Sequence, residues 1–391
     1  MNRVAEAGKK GLHAVETSEE YKKKLKAHRR TIRIVVILVV ILIVAGLIGV
    51  KLYLDGKEYT EYEVVNVKER VPGAVSEYVP YAKGFLKYNH DGATYIELNG
   101  SMIWNQPYEL EDPTVCVGSH AACVYEKNGK KLYIMSDETA KMGVDVTVPI
   151  KRVSVSDSGV VAVLMEEAGV ARIALYDSDG EQLANGELYS SNIGYPMDLA
   201  ISNDGRLLMV TILSISEARI STNIIFYNFG NVGRNEVDNI VGTYTYDGIM
   251  VPRAEYLEGD YAIAVSTEEV LVFYGSQKPE EYARYPITGE AKAFFCGTDR
   301  FGFTFDDHID VYKPESGKVF TYKDDFDKCN VSFMDDGEIS AIGETRVSIY
   351  DMSGIRRFHS EEENGVIMVK RSIATHYLFI YKDSITEVRL K

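Results

Sequence analysis

Cysteine and tryptophan are nearly missing from this chain, with four of the first and one of the second in 391 residues. So few cysteines exclude the disulfide framework of a small secreted scaffold. Only Cys116 and Cys123 are near enough to matter together, because TVCV and AACVY read as two strands joined by Gly118-Ser119-His120-Ala121. A tight hairpin there sets the two residues opposite each other, either as a disulfide or as two small buried apolar side chains. Cys296 and Cys329 fall in separate repeat units and read as buried.

Short catalytic signatures are also lacking: there is no G-x-S-x-G elbow, no H-E-x-x-H, no P-loop and no G-x-G-x-x-G. This counts against an enzyme, although a fold that gathers catalytic residues from distant segments escapes such a test. Positive charge is scarce outside the N-terminus. Residues 1–33 hold ten Lys or Arg against four Asp or Glu, whereas the whole chain stands at −15, so the remainder sums to about −21. That sign is wrong for holding phosphates, and no nucleic-acid partner is expected.

What is present begins with an apolar run. Ile34 to Val50 is unbroken apolar or glycine, and Lys51 to Leu54 completes a stretch of about 20 residues, long enough to cross a bilayer. Lys22, Lys23, Lys24, Lys26, Arg29, Arg30 and Arg33 precede it, and Asp55, Glu58, Glu61 and Glu63 follow. By the positive-inside rule the N-terminus stays in the cytoplasm and the rest lies outside. A cleaved signal peptide fits less well, since the basic leader is long and no small-residue cleavage pattern follows. The expected organisation is a basic cytoplasmic leader (1–33) and a single-pass signal-anchor helix in contact with the lipid bilayer (34–54). A juxtamembrane segment (55–83) and an outer repeat domain (84–391) follow.

The outer segment is strand-rich and repeats. IALYDSDG (173–180), VSIYDMSG (347–354) and IDVYKPESG (309–317) each read as an apolar strand ending in Tyr and then a polar turn. IIFYNFG (224–230) and VLVFYG (270–275) match, placing the recurrent tyrosines at 176, 227, 274, 312 and 350. Ahead of these strands lie turns such as Ser156-Asp157-Ser158-Gly159, Ser202-Asn203-Asp204-Gly205 and Met334-Asp335-Asp336-Gly337, and Asn89-His90-Asp91-Gly92 is similar. Asp and Asn tolerate left-handed backbone and glycine supplies positive φ, so these are hairpin turns. Four strands in units of roughly 40 residues predict an all-β β-propeller.

Unit starts fall at Thr114, Arg152, Met197, Val251, Ala291, Cys329 and Val366, with an earlier unit around Gly84. The last unit holds only three strands before Lys391. The strand Tyr59–Val71 is available to complete it and remove an exposed edge. Eight blades are expected, or seven if the Gly84 unit is irregular.

Through its Tyr-Asp and Asp-Gly turns the layout resembles the quinoprotein-like and WD40-like propellers of bacterial envelopes. The basic leader, anchor and Tyr-rich repeats are more closely similar to an uncharacterised family of membrane-anchored propeller proteins from clostridial Firmicutes. That resemblance implies a propeller held at the outer face of a bacterial cytoplasmic membrane. The Trp-Asp and Gly-His signatures of WD40 repeats are absent. With Trp104 the only tryptophan, the docking motifs of quinone-cofactor dehydrogenases are absent too, so no cofactor is carried over.

Candidate ligand-face residues are few. Asp306-Asp307-His308 is the densest cluster of acid-base or metal-ligating groups in the repeats, in a turn where Asp is also favoured for backbone reasons. Trp104 in an outer strand can stack on a sugar ring or fill the space between blades. Asp177-Ser178-Asp179-Gly180 lacks the rest of a calcium loop, so no metal site is expected. Twenty-seven tyrosines offer apolar area with a polar tip for a binding face, without saying which of them form one. The resulting expectation is a binding or scaffold module for an envelope protein, peptide or wall polymer. The alternatives are an envelope hydrolase or lyase with acidic residues at the channel, and a sensor acting through a partner.

Overall fold

A computed structural model describes residues 18–69, 76–189, 194–217, 219–334, 336–361, 365–373 and 375–391. Thr17 and the rest of the early leader, the end of the expected closing strand at Arg70 and Val71, and Asp335 of one expected turn lie outside the described residues. The chain divides into two units, 1–57 and 58–391.

The first unit contains one helix, α1, Ser18–Asp55. Its 38 residues extend about 57 Å at the usual rise. Ile34 to Val44 are exposed around the whole circumference, as a sequence without a polar face requires. Within the expected span Ile34 to Leu54, side chains are described at 34–46 and 49. Among the described residues no helix is long and apolar enough to cross a membrane, so the single transmembrane span is not supported by them.

The second unit is all β: eight antiparallel four-stranded sheets. Blades 1 to 7 run through 77–107, 113–145, 150–189, 195–247, 253–286, 293–323 and 330–360, each in simple meander order. Blade 8 takes three strands from 366–390 and its outer strand, Tyr62–Glu69, from the other end of the chain. There Tyr62 pairs with Leu390 and Glu69 with Ser384. The eight-bladed alternative is therefore the one realised, and the closing strand does what its position ahead of the first repeat predicts.

The second strand of a blade is covered on both faces, which is why the second strands read as continuous apolar runs such as Val161–Met165 and Leu207–Val210. Alternate side chains serve alternate seams. Cys123 and Tyr125 pack against blade 3, while Ala122 and Val124 pack against blade 1. Eight apolar clusters result, one at each seam, including Phe85, Met368, Leu378, Ile380 and Ile385 where the last blade meets the first.

Seven unit starts fall within two residues of the observed inner strands. The first differs. Its inner strand is Glu77–Tyr81, and Gly84 opens the second strand. Pro80 hides this strand from a sequence reading, but an inner strand is paired on one side only and tolerates proline.

The turns carry their expected chemistry. The Asp177 carboxylate accepts the N–H groups of Asp179 and Glu181 at 2.8 and 2.9 Å, and Asp351 does the same for Ser353 and Ile355, both at 2.9 Å. Gly180 and Gly354 adopt φ of 82° and 89°. Asn89 to Gly92 sits between the second and third strands, a different position from the other Asp-Gly turns.

Candidate binding surfaces of the propeller

Charged side chains from the inner strands of neighbouring blades meet along the central channel. Bulges in blades 3 and 4 fall just before Arg152 and Asp198 and re-aim those residues. Arg152 Nε lies 3.7 Å from Asp198 Oδ1, and Asp198 Oδ2 accepts the Ala254 N–H at 3.1 Å, tying blade 4 to blade 5. In blade 5, Arg253 donates to Glu255 Oε1 at 2.6 Å.

Burial raises the Asp198 carboxyl above its ordinary range, against the pull of Arg253 and its own hydrogen bonds. Burial also raises Glu255, opposed by Arg253 and reinforced by the Asp198 charge. The Glu255 side chain remains 28% accessible, so channel water moderates that shift. Cys116, in the same surroundings, is pushed up to about 12 by burial.

Chemically, two carboxylates from adjacent blades with two guanidinium groups are the raw material of acid-base catalysis. Asp198 is nevertheless almost fully buried and held by a backbone N–H, and Glu255 is held by Arg253. Among the described residues no group of three or more His, Cys, Asp or Glu is placed to hold a metal ion. A cavity of about 830 Å³ opens beside Arg253 between blades 5 and 6, with Ile287, Phe294 and Phe303 as its apolar wall and Glu290 and Lys292 at the rim. A second cavity, about 500 Å³, lies between blades 3 and 4 against Leu188, Leu208, Ile225 and Tyr227.

The residues singled out from sequence are scattered. Trp104 fills the seam between blades 1 and 2, where its Nε1 donates to the Ser136 carbonyl at 2.9 Å. Asp306, Asp307 and His308 form the turn between the second and third strands of blade 6. His308 stacks on Phe305 at 4.3 Å and bonds Asp307 at 2.6 Å, which lowers the Asp307 carboxyl. The Asp306 carbonyl accepts the Phe326 N–H at 2.9 Å, so the turn is also pinned to the loop leading to blade 7. Cys116 and Cys123 are direct cross-strand partners, as the hairpin predicts, and both are free thiols. Sequence reading missed Arg152, Asp198, Arg253 and Glu255 as a group. The available signal was charge inside inner strands that are otherwise apolar.

Geometry of this kind defines a closed β-propeller of WD40-like architecture. Over residues 55–390 the chain matches the family of unknown function DUF5711, and it belongs to that family. No curated protein matches its sequence. Among solved structures it is similar in fold to BamB from Moraxella catarrhalis, with 15% identity over 85% of this chain and 98% of that one and a TM-score of 0.50. It is likewise similar to Sqt1 of Saccharomyces cerevisiae, with 10% identity over 86% and 100% of the two chains and a TM-score of 0.50.

Proposed function

We propose that this protein is a binding or scaffold module that presents its propeller to an envelope protein, peptide or wall polymer. In this reading α1 tethers it to the outer face of a bacterial cytoplasmic membrane with the N-terminus inside. The tether rests on the apolar run from Ile34 and on the basic residues before it. One observation carries the binding role: the channel carboxylates Asp198 and Glu255 are spent on Arg152, Arg253 and the Ala254 N–H, which makes the ring a rigid platform. The test is crosslinking of the full-length protein in native membranes, followed by substitutions on one propeller face. Recovery of a defined partner that those substitutions abolish supports the role, and recovery of none sinks it.

A second reading, an envelope hydrolase or lyase acting on a carbohydrate or peptide, draws on the convergence of Asp198 and Glu255 with two arginines. Glu255 is the more accessible acid. Turnover of a wall fraction that is lost in Glu255→Gln supports catalysis, and turnover unchanged by it removes Glu255 from the chemistry.

A further inference from the structure

Blade 5 gathers three tyrosines at its surface. Tyr261 and Tyr274 are direct cross-strand partners with ring centroids 4.9 Å apart. Tyr282 approaches them from the outer strand at 5.7 and 6.1 Å. Two backbone features place them there. In blades 3, 4, 6 and 7 the third-strand residue just past the outer-strand bulge is the repeat tyrosine: Tyr176, Tyr227, Tyr312 or Tyr350. In blade 5 that position belongs to Phe273, fully buried, so Tyr274 is one residue further on and faces the opposite side. Tyr282 is itself the extra residue of the blade 5 bulge, and bulges re-aim side chains. Tyr274 and Tyr282 are in consequence 49% and 50% exposed.

The neighbouring blade supplies acidity. Tyr282 donates its hydroxyl to the Glu315 carbonyl at 3.3 Å. That bond sets Glu315 beside the cluster, and burial, then the neighbouring Tyr282 and Glu315, raises the Tyr261 hydroxyl. Lys313 lies 3.6 Å from Glu315 but is shared with Asp299 at 3.9 Å.

At two places elsewhere in the chain where a tyrosine hydroxyl bonds a glutamate carboxylate, an arginine completes the group. Tyr246 bonds Glu281, and Arg284 bonds Glu281 at 2.8 Å with its guanidinium 5.1 Å from the Tyr246 ring centre. Tyr377 bonds Glu338 at 2.7 Å, and Arg371 bonds Glu338 at 3.0 Å while lying 6.0 Å from the Tyr377 ring centre. Among the described residues no cation lies over Tyr261, Tyr274 or Tyr282.

We propose that the Tyr261–Tyr274–Tyr282 cluster with Glu315 receives an arginine side chain from a protein or peptide partner. The guanidinium stacks on the exposed tyrosine rings and pairs with the carboxylate. Guanidinium is flat and weakly hydrated, so it gains more from aromatic faces than a lysine ammonium does. An acidic outer domain favours a basic partner and disfavours an anionic polymer. Tyrosine and arginine are also the residues that tend to dominate protein interfaces. The inference rests on the binding reading above and gives it a surface and a chemistry.

The test uses the full-length protein in detergent micelles and a fluorescent peptide with two arginines among glycine and serine, read by anisotropy. Binding is expected, at least fivefold weaker when lysine replaces arginine, and about tenfold weaker in the Tyr274→Ser/Tyr282→Ser double variant. Neither substitution changes the protein's charge, so general attraction to an acidic surface survives in the variant. Tyr195→Ser, at an exposed tyrosine in blade 4, leaves affinity unchanged. Equal binding by wild type and double variant overturns the site, as does displacement of the peptide from wild type by chitotetraose at lower concentration than by unlabelled peptide, which marks a glycan platform. A crosslinked membrane partner retained by the double variant removes the tyrosine site and leaves the binding role standing.

Discussion

Lys370 Nζ donates to the Gly84 carbonyl oxygen at 2.6 Å, joining the inner strand of the last blade to the second strand of the first. The lysine is buried, with the Ala82 carbonyl at 3.4 Å as a further acceptor. Lys370→Met keeps the apolar stem and deletes the charge, leaving those carbonyls without this donor. A loss of about 2 kcal/mol is expected, the usual scale for a hydrogen bond to a charged group, read as a shift in the urea midpoint. Gly84→Ala acts at the same seam, because a Cβ there would fall 2.0 Å from the Ile96 carbonyl oxygen. With backbone as the obstacle it costs about 3 kcal/mol or prevents folding.

Between blades 7 and 8, Glu338 is almost fully buried and bonded by Arg357 at 3.2 Å, Arg371 at 3.0 Å and Tyr377 at 2.7 Å. Glu338→Ala removes the buried carboxylate that Arg357, Arg371 and Tyr377 share, with an expected loss of about 3–5 kcal/mol in chemical unfolding. Glu338→Gln keeps the shape and loses less. A midpoint unchanged in Glu338→Ala would show that the network contributes nothing.

Asp325, in the loop leading to blade 7, is bonded by Arg346 at 2.6 Å, which holds its carboxyl down at about 2. The folded pKa is below the unfolded one, so this group's contribution is present above about pH 4 and disappears as pH falls through about 2. In Arg346→Gln the Asp325 carboxyl titrates near the ordinary aspartate range, as a carboxylate NMR titration will show.

Three of the four thiols should be slow. Burial pushes Cys116 up to about 12 and Cys123 and Cys296 well above their ordinary value, so little thiolate exists at pH 8. Native protein should react with a thiol reagent far more slowly than unfolded protein. Four equivalents after unfolding match four free thiols, whereas two would show that one pair had joined.

The repeats were legible because the second and third strands of a blade are largely buried and end in turns with fixed backbone demands. Those constraints are local and leave a pattern of apolar runs, Asp and Gly. The closing strand was legible from a deficit, three strands where four were needed. Blade 5 misled for the same reason the pattern worked elsewhere. Tyr274 matched the motif by residue type, while the register had moved to Phe273, and only the bulge opposite reveals that. Asp198 and Glu255 could not be paired from sequence, since what unites them is the geometry of the inner strands of two different blades, as the Asp198 to Ala254 bond across 56 residues illustrates.

Ring closure also orders events in time. The strand Tyr62–Glu69 leaves the ribosome long before its partner, as the Glu63 to Arg389 ion pair across 326 residues makes plain. Contacts so distant form late and slowly. Until Ser384–Leu390 arrives, the nascent ring has an unpaired edge at each end of the gap, the kind of surface on which chains stick to one another. A chain stopped a few residues early would carry the same open edges permanently, so a truncated product should be recognised by its tendency to aggregate well before any loss of binding is measured.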